Sequence, residues 1–189
     1  MTTARTRIHG VDVDQLEETI SHIESDPSLA RFTFRANTKW EEGARSRTEI
    51  QGFYGAGKED ESRKRPFILE GDEPDVLLGT NQAPNAVETL LHALSSCLAV
   101  GFAYNAAARG IEVESVDFEL EGDLDLHAFL GLADPEESRP GYQNIDVRYR
   151  VKADAPREEL VELCEYVQKT SPVMDALRNP VTVSVSMKS

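Results

Sequence analysis

The residue with the clearest potential for chemistry is Cys97, in the apolar stretch PNAVETLLHALSSCLAVGFAYNAAARG of residues 84–110. A cysteine reacts as its thiolate, which requires a nearby cation and some access to solvent. The sequence neighbours of Cys97 are mostly leucine, alanine and serine, and a thiol in such a setting more often serves as a small hydrophobic core residue. The residue types alone therefore leave two interpretations open, a nucleophile or a packing residue.

A reactive Cys97 would need a cation that its own helix does not supply. At 3.6 residues per turn, Glu88 lies about 180° around a helix from Cys97, and His92 lies about 140° away. Basic residues occur instead at a predicted hairpin turn, as Arg45 and Arg47. These arginines are either solvent-exposed turn charges or the cation that the thiol needs, and the sequence does not decide between the two.

The cysteine pattern argues against a metal site. Cys97 and Cys164 are far apart, no CxxC motif is present, and no histidine pair accompanies them. Cys164 falls on the apolar stripe of a predicted helix, which is typical of a core residue. We expect two free thiols in a reducing compartment, with neither a metal nor another cofactor.

The element that must position Cys97 is a long helix over residues 86–108. Almost every residue in this range is apolar or small, and the polar residues recur at three- and four-residue spacing. Pro84 and Asn85 suit its start, and Gly110 suits its end. Glu88 and His92 interrupt the apolar run, which favours the core of a soluble domain over a membrane span.

Strands and shorter helices are predicted on both sides of this helix. An α+β domain results, in which sheets pack on the central helix. Asp14 and Glu17 resemble a capping box for the first helix. The predicted elements are a helix that begins near Val13 and ends at Asp26-Pro27, a half-buried strand over 31–40, a strand over 47–54 joined to it by a turn at Gly43, a short strand over 67–69, strands over 116–120 and 145–151, a helix that runs from Pro156 to Ser171, and a last strand over 181–187.

The composition narrows the classes of partner. The chain has 189 residues and a formal net charge of −14, so an acidic surface would repel nucleic acid and anionic membranes. The first ten residues lack the apolar segment of a secretory signal. We therefore expect a cytoplasmic protein that binds neither nucleic acid nor membrane.

A loop over residues 127–141 is a candidate binding element. It begins with the apolar side chains Phe129, Leu130 and Leu132 and ends in a polar, proline-containing segment. Large apolar side chains on a loop need a cover. We therefore predict that this loop forms a lid over a pocket near Cys97 for a small apolar ligand.

Two segments resemble a known family. The run PNAVETLLHALSSCLAVGF is similar to the cysteine helix of the OsmC/Ohr hydroperoxide reductases, and KTSPVMDALRNPVTVSV is similar to their second motif and final strand. The resemblance covers residues 31–189, which leaves residues 1–30 as an N-terminal helical extension. It implies the OsmC-like α+β fold, with sheets around the cysteine-bearing helix, in an intertwined homodimer.

The resemblance also implies a chemistry. Cys97 would be the peroxidatic thiol that attacks an organic hydroperoxide, and Arg45 or Arg47 would be the adjacent arginine. The family's resolving cysteine aligns with Ser171, which cannot form a disulfide, and its helix carboxylate aligns with Val87. Glu88 would then either replace that carboxylate or cap the helix.

Two functions are consistent with these similarities to the family motifs and with the differences at residues 87 and 171. The first is a thiol peroxidase of oxidative-stress defence that needs an external thiol reductant to restore Cys97. The alternative is a non-catalytic OsmC-like dimer that binds a small apolar ligand, with Cys97 as a packing residue.

Overall fold

A computed structural model of the chain describes residues 7–188 and has the predicted α+β composition. Residues 12–90 form one compact unit, and residues 7–11 with 91–188 form another. The separation of residues 1–30 as an extension from a domain of residues 31–189 stays a prediction. The elements are β1 (Arg7–Ile8), β2 (Val11–Asp12), α1 (Val13–Ser25), β3 (Asn37–Glu42), β4 (Arg45–Ile50), β5 (Phe53–Gly55), β6 (Lys58–Asp60), β7 (Phe67–Gly71), α2 (Ala86–Ala108), β8 (Val113–Asp123), β9 (Asn144–Ala153), α3 (Arg157–Thr170) and α4 (Pro172–Arg178).

The N-cap of helix α1 lies two residues before the predicted cap. The carboxylate of Asp12 accepts a hydrogen bond from the Gln15 backbone N–H at 3.0 Å, so Asp12 is the N-cap. The predicted capping box of Asp14 and Glu17 is therefore wrong. The end of the helix at Asp26 agrees with the prediction.

The first unit contains a three-stranded antiparallel sheet in the order β3-β4-β7. Gly43, with a φ of +55°, joins β3 to β4 and confirms the predicted hairpin turn. The predicted strand over residues 31–40 is wrong in part, because residues 31–36 contribute only the isolated bridge of Thr33 with Tyr54. The second predicted strand is divided at residues 51–52 into β4 and β5, and a further short strand, β6, follows β5.

The half-buried face predicted for residues 31–40 is also wrong in the single chain. All ten residues are exposed, including Phe32, Phe34 and Trp40. The rings of Phe32, Phe34 and Phe53 lie 5.5 to 6.4 Å apart and form a surface cluster. The alternating sequence identified an apolar face correctly, but this chain does not bury it.

The second unit has its core between α2, α3, α4 and the β8–β9 hairpin. Strands β8 and β9 pair antiparallel from Val113 with Ala153 to Asp123 with Asn144, with an irregularity after Val113. Their alternating apolar residues pack against the helices, which explains the alternation in the sequence. The buried core residues are Leu94, Leu98, Phe102, Ala106, Ile111, Leu163, Val167 and Met174.

A close approach of α2 and α3 occurs at Gly101. A Cβ atom at this position would lie 3.1 Å from Val167 Cγ1, so the missing side chain lets the two helices pack tightly. Helix α3 ends at Thr170, and Pro172 begins α4 after the single residue Ser171. The predicted interruption of the helix at Ser171-Pro172 is thereby confirmed.

The last predicted strand is absent from the described part of the chain. Residues 181–188 have neither helical nor strand structure, and their apolar side chains are exposed. The alternation of valine with threonine and serine is typical of a strand, but the segment has no strand partner within the described residues. The predicted strand over residues 181–187 is therefore wrong for the single chain, because the segment lacks a strand to pair with among residues 7–188.

Helix α2 is long and apolar enough, by length and composition, to cross a membrane, with a mean hydropathy of 1.5 over its best 18-residue window. A core helix passes the same test, so the property does not identify a membrane span. Glu88 and His92 therefore do not bring the hydropathy of α2 below that of a membrane span, contrary to the prediction from the sequence. Only 17% of that window is buried, and much of its apolar surface remains uncovered by this chain.

Candidate functional site

Cys97 lies in α2 at the margin of the core of the second unit. Leu94 and Leu98 are both buried, at 1% and 0% exposure, whereas Cys97 is partly exposed. The sequence places these leucines three residues before and one residue after the cysteine, so the core fixes the helix while Cys97 stays partly exposed. Cys97 is a free thiol, and the position therefore suits both a reactive thiol and a packing residue.

The polar partner of Cys97 is Ser171. The Ser171 hydroxyl donates a hydrogen bond to Cys97 Sγ over 3.2 Å, and Ser171 itself is only 4% exposed. This residue occupies the linker between α3 and α4, where the following Pro172 favours the extended backbone that it adopts. The structure thus brings together the two positions that the family resemblance assigned to its pair of cysteines.

The Ser171 hydroxyl is also the N-cap of α4. Its oxygen accepts a hydrogen bond from the Met174 backbone N–H at 3.2 Å. Met174 is part of the buried core together with Leu94 and Leu98. The core therefore anchors both the helix that carries the sulfur and the helix that Ser171 caps.

Cys164 has the environment of a structural thiol. It is partly buried and packs against the core cluster, as the apolar stripe of α3 predicts. Burial raises the pKa of the Cys164 thiol above its ordinary value. A thiol that resists ionisation is a poor nucleophile, which agrees with its assignment to the core.

Glu88 caps α2 in the other unit. Its carboxylate accepts a hydrogen bond from the Asn85 backbone N–H at 2.9 Å, and the Asn85 side chain accepts one from the Glu88 N–H at 2.8 Å. This reciprocal pair is a capping box with asparagine in the cap position. The capping role that the sequence left open for Glu88 is therefore present, and a role in catalysis stays a prediction.

The loop that leads into α2 is organised by Asp72, which the sequence analysis missed. Asp72 is 3% exposed, and its carboxylate accepts hydrogen bonds from the backbone N–H groups of Glu73, Thr80 and Gln82 and from the Thr80 hydroxyl. These bonds, led by the one from the Thr80 hydroxyl, hold the pKa of Asp72 far below its usual range. A single aspartate in a loop gives little sequence signal, because its donors lie up to ten residues away.

Arg45 and Arg47 lie on β4, in the unit of residues 12–90. Arg45 forms an ion pair with Glu41 at 3.6 Å, and Arg47 forms one with Glu70 at 3.2 Å. The side chains of both arginines are more than a third exposed, so each pair contributes little to stability. The prediction that one of them faces Cys97 stays a prediction.

The candidate lid residues lie in solvent in the single chain. Phe129 is 74% exposed, Leu130 57% and Leu132 70%. Leu130 and Leu132 line an open cavity of about 430 Å³ together with Leu124, Leu126 and the hydrogen-bonded pair of Asp125 and His127. A closed lid over Cys97 is therefore not present in the isolated chain, and a binding role for these side chains stays a prediction.

Metal coordination has no candidate in the described residues. Among residues 7–188, no group of three or more His, Cys, Asp or Glu side chains is arranged to hold a metal ion.

Comparisons with known proteins agree with the fold. A family model described as OsmC-like protein matches residues 79–186, which include both Cys97 and Ser171. No curated protein matches the chain. Among solved structures, an OsmC-like protein from Mycoplasma pneumoniae is 15% identical with a TM-score of 0.56, and it covers 77% of this chain and 87% of its own.

Two further structures are similar to the same extent. An organic hydroperoxide resistance protein OsmC from Legionella pneumophila is 15% identical with a TM-score of 0.54, over 77% of this chain and 89% of that one. A putative osmotic stress induced and detoxification response protein from Psychrobacter arcticus is 11% identical with a TM-score of 0.56, over 75% and 85%. At these identities the likeness concerns the fold.

Proposed function

Because the chain belongs to the OsmC-like protein family, we propose that it has a peroxide-related role and reduces organic hydroperoxides through Cys97. The observation that carries the proposal is the partly exposed, free Cys97 thiol on the helix that the family model covers. The structurally similar Legionella pneumophila protein, named for organic hydroperoxide resistance, supports the choice of substrate class.

The proposed reaction needs two co-substrates. The Cys97 thiolate attacks the distal oxygen of a hydroperoxide, an S–O bond forms, the O–O bond breaks, and the alkoxide leaves as an alcohol after protonation. Cys97 is then a sulfenic acid, oxidised by two electrons. A cation beside the sulfur would stabilise both the thiolate and the departing alkoxide, and Arg45 and Arg47 are the candidates for it.

The reductant is an external thiol. Ser171, not cysteine, is the hydrogen-bonded neighbour of Cys97, and a serine cannot close a disulfide. One external thiol therefore attacks the sulfenic acid, forms a mixed disulfide with Cys97 and releases water. A second external thiol attacks this mixed disulfide and releases the Cys97 thiol. The external thiols leave as their disulfide, which balances the two electrons given to the peroxide.

The proposed assembly is a homodimer. Tyr104 and Val100 on α2 are half exposed, and apolar residues beyond the last helix are 60% to 98% exposed. Exposed apolar surface on this scale is typical of an interface. A second copy of the chain would cover it and would pair with an open edge of the two-stranded β8–β9 sheet.

A second candidate function has its own observation. The open cavity of about 430 Å³ beside Leu130 and Leu132 is large enough for a small apolar ligand. In this alternative the protein is a dimeric binding protein, and Cys97 contributes packing without turnover. The apolar ligand would then be recognised by Phe129, Leu130 and Leu132.

Hydroperoxide consumption in the presence of dithiothreitol tests the first proposal. Wild-type protein should consume cumene hydroperoxide catalytically, since the dithiol takes the place of the external reductant. Cys97→Ser should reduce the rate to that of the buffer. Cys164→Ser is the matched control and should retain turnover, because Cys164 packs against the core.

The two candidate functions give opposite results in this assay. If the wild-type protein consumes no hydroperoxide, the proposal that it is a hydroperoxide-reducing enzyme is wrong. The binding protein would instead show a change in thermal stability with small apolar ligands, equal in wild type and Cys97→Ser.

A further inference from the structure

The Ser171 hydroxyl has a defined direction. Its oxygen accepts from the Met174 backbone N–H, and its hydrogen is directed to Cys97 Sγ. At 4% exposure, the hydroxyl has little access to water that could replace either contact. The Ser171 hydroxyl is therefore placed to donate a hydrogen bond to the sulfur.

This bond distinguishes between the two protonation states of Cys97. A neutral thiol sulfur is a weak acceptor, whereas a thiolate accepts a charge-assisted hydrogen bond of roughly twice the strength. A donor held against the sulfur consequently stabilises the thiolate more than the thiol. Within the unit of residues 7–11 and 91–188, no charged side chain forms a hydrogen bond or ion pair with Cys97 Sγ.

Several titratable side chains on the surrounding helices interact with groups other than Cys97, among them Arg178 of α4, which interacts electrostatically with Tyr149. His92 of α2 contacts Ser96, Lys169 of α3 pairs with Glu165, and Asp175 of α4 accepts from Asn179. Within the unit of residues 7–11 and 91–188, the hydrogen-bond donor to this sulfur is thus the Ser171 hydroxyl.

We propose that Ser171 is a further residue of the reactive site, in which its hydroxyl activates Cys97 by donating a hydrogen bond to the thiolate. The inference rests on the proposed function and deepens it. By the family resemblance, residue 171 would be the resolving cysteine of a two-cysteine enzyme. In this chain it is a serine that donates a hydrogen bond to Cys97. Ser171 therefore favours the nucleophilic state of Cys97, and the reduction of the Cys97 sulfenic acid is left to external thiols.

The test is the pH profile of Cys97 alkylation by iodoacetamide, measured in a Cys164→Ser background so that one thiol is read. Ser171→Ala should lower the rate near pH 7 by about tenfold, as expected for the loss of a hydrogen bond to a charged group. The rate at high pH, where the thiol is ionised in either protein, should change little. Ser171→Thr retains a hydroxyl and should keep the wild-type profile.

Two further variants keep the test decisive. Ser171→Gly also lacks the hydroxyl but caps a helix almost as well as serine, so it replaces Ser171→Ala if that variant unfolds. Ser96→Ala removes an exposed hydroxyl next to Cys97 in the sequence and should leave the profile unchanged. Thermal unfolding of each variant checks that the pH profile of alkylation is measured on folded protein.

The outcomes separate this inference from the proposed function. If alkylation of the folded Ser171→Ala or Ser171→Gly protein follows the wild-type pH profile while hydroperoxide turnover is intact, the inference is wrong and the function stands. If the profile shifts as expected but wild-type protein reduces no hydroperoxide, Ser171 tunes the thiol and the proposed function is wrong. A Ser171→Thr profile that matches Ser171→Ala contradicts the role of the hydroxyl.

Discussion

The contact between Cys97 Sγ and Ser171 Oγ links the two segments of the chain that resemble the family motifs. The geometry is that of a donor and an acceptor at 3.2 Å, held from both sides by the same core. A sulfur in place of this oxygen would convert a hydrogen-bonding neighbour into a redox partner. The chemistry available to Cys97 thus depends on one atom of residue 171.

Ser171→Cys tests this dependence directly. A disulfide has an S–S distance of about 2.05 Å, so the two side chains would need to approach by only roughly 1 Å beyond the present contact. We expect hydroperoxide to produce a disulfide between Cys97 and the introduced cysteine, with water and alcohol as the other products. Free-thiol titration and the mass of the peptide pair after proteolysis measure it.

The control for this prediction is the double variant Cys97→Ser with Ser171→Cys, which should form no disulfide within the chain. Cys164→Ser should be present in both proteins, so that thiol exchange with Cys164 cannot contribute. One free thiol together with a sulfenic or sulfinic acid at Cys97, after oxidation of Ser171→Cys by a slight excess of hydroperoxide, would show that the side chains cannot reach disulfide geometry.

Sequence reasoning identified both members of this contact but not its nature. Cys97 stood out by residue type, and Ser171 stood out only through the family resemblance. The hydrogen bond between them joins residues 74 positions apart. Such a contact depends on how α2 packs against the α3–α4 linker, and no local pattern encodes it.

At the scale of the elements, the start of α2 depends on the loop of residues 72–84. The two ends of this loop meet where the Asp72 backbone N–H bonds to the Pro84 carbonyl, and the Asp72 carboxylate accepts from donors in between. Asn85 and Glu88 then cap the helix directly after the loop. The carboxylate of Asp72 therefore fixes the entry into the helix that carries Cys97.

Asp72→Asn should destabilise the protein at neutral pH. Asparagine keeps one acceptor oxygen but directs an NH₂ group against N–H donors, so we expect a decrease in melting temperature on the order of 5 °C. Because the pKa of Asp72 is lowered in the folded state, its contribution is present above about pH 4 and is lost as the pH falls through the lower folded pKa. Thermal unfolding between pH 3 and pH 8 measures the difference between the two proteins.

A matched control is Asp75→Asn, which makes the same chemical change at an exposed position of the same loop. It should leave the melting temperature within about 1 °C of wild type, as is usual for surface substitutions. If the difference between wild type and Asp72→Asn were constant down to pH 3, the carboxylate charge would not be its cause.

Elements with a partner within the chain were predicted well. Helices α2 and α3 and strands β8 and β9 show a clear period in the sequence, and each buries its apolar face against the others. The segments over residues 31–36 and 181–187 show an equally clear alternation but no cover. Periodicity reports that a face is apolar, and it does not report which surface will bury it.

At the scale of the whole molecule, the uncovered apolar residues point to a second subunit. Val181, Val183, Val185 and Met187 are 60% to 98% exposed and alternate with polar residues. A strand with this pattern gains its stability by pairing with a sheet edge. A second copy of the chain offers such an edge in the two-stranded sheet of β8 and β9.

The resulting prediction concerns oligomeric state. Light scattering at micromolar concentration should give about twice the 21.0 kDa of one chain. Val183→Asp with Val185→Asp should weaken the dimer by about a hundredfold or more, because two carboxylates would lose their hydration at the interface. Ser184→Asp with Ser186→Asp places the same charges on the alternate face and should leave the mass at that of a dimer.

The control pair makes the result specific to one face of the segment. Equal dissociation by both double variants would indicate general charge repulsion in a chain that already carries −14. A wild-type protein that is a stable monomer at micromolar concentration would contradict the dimer altogether. In that case the apolar face of residues 181–187 would need another partner, and the proposed role of a second subunit in covering Val100 and Tyr104 would be lost with it.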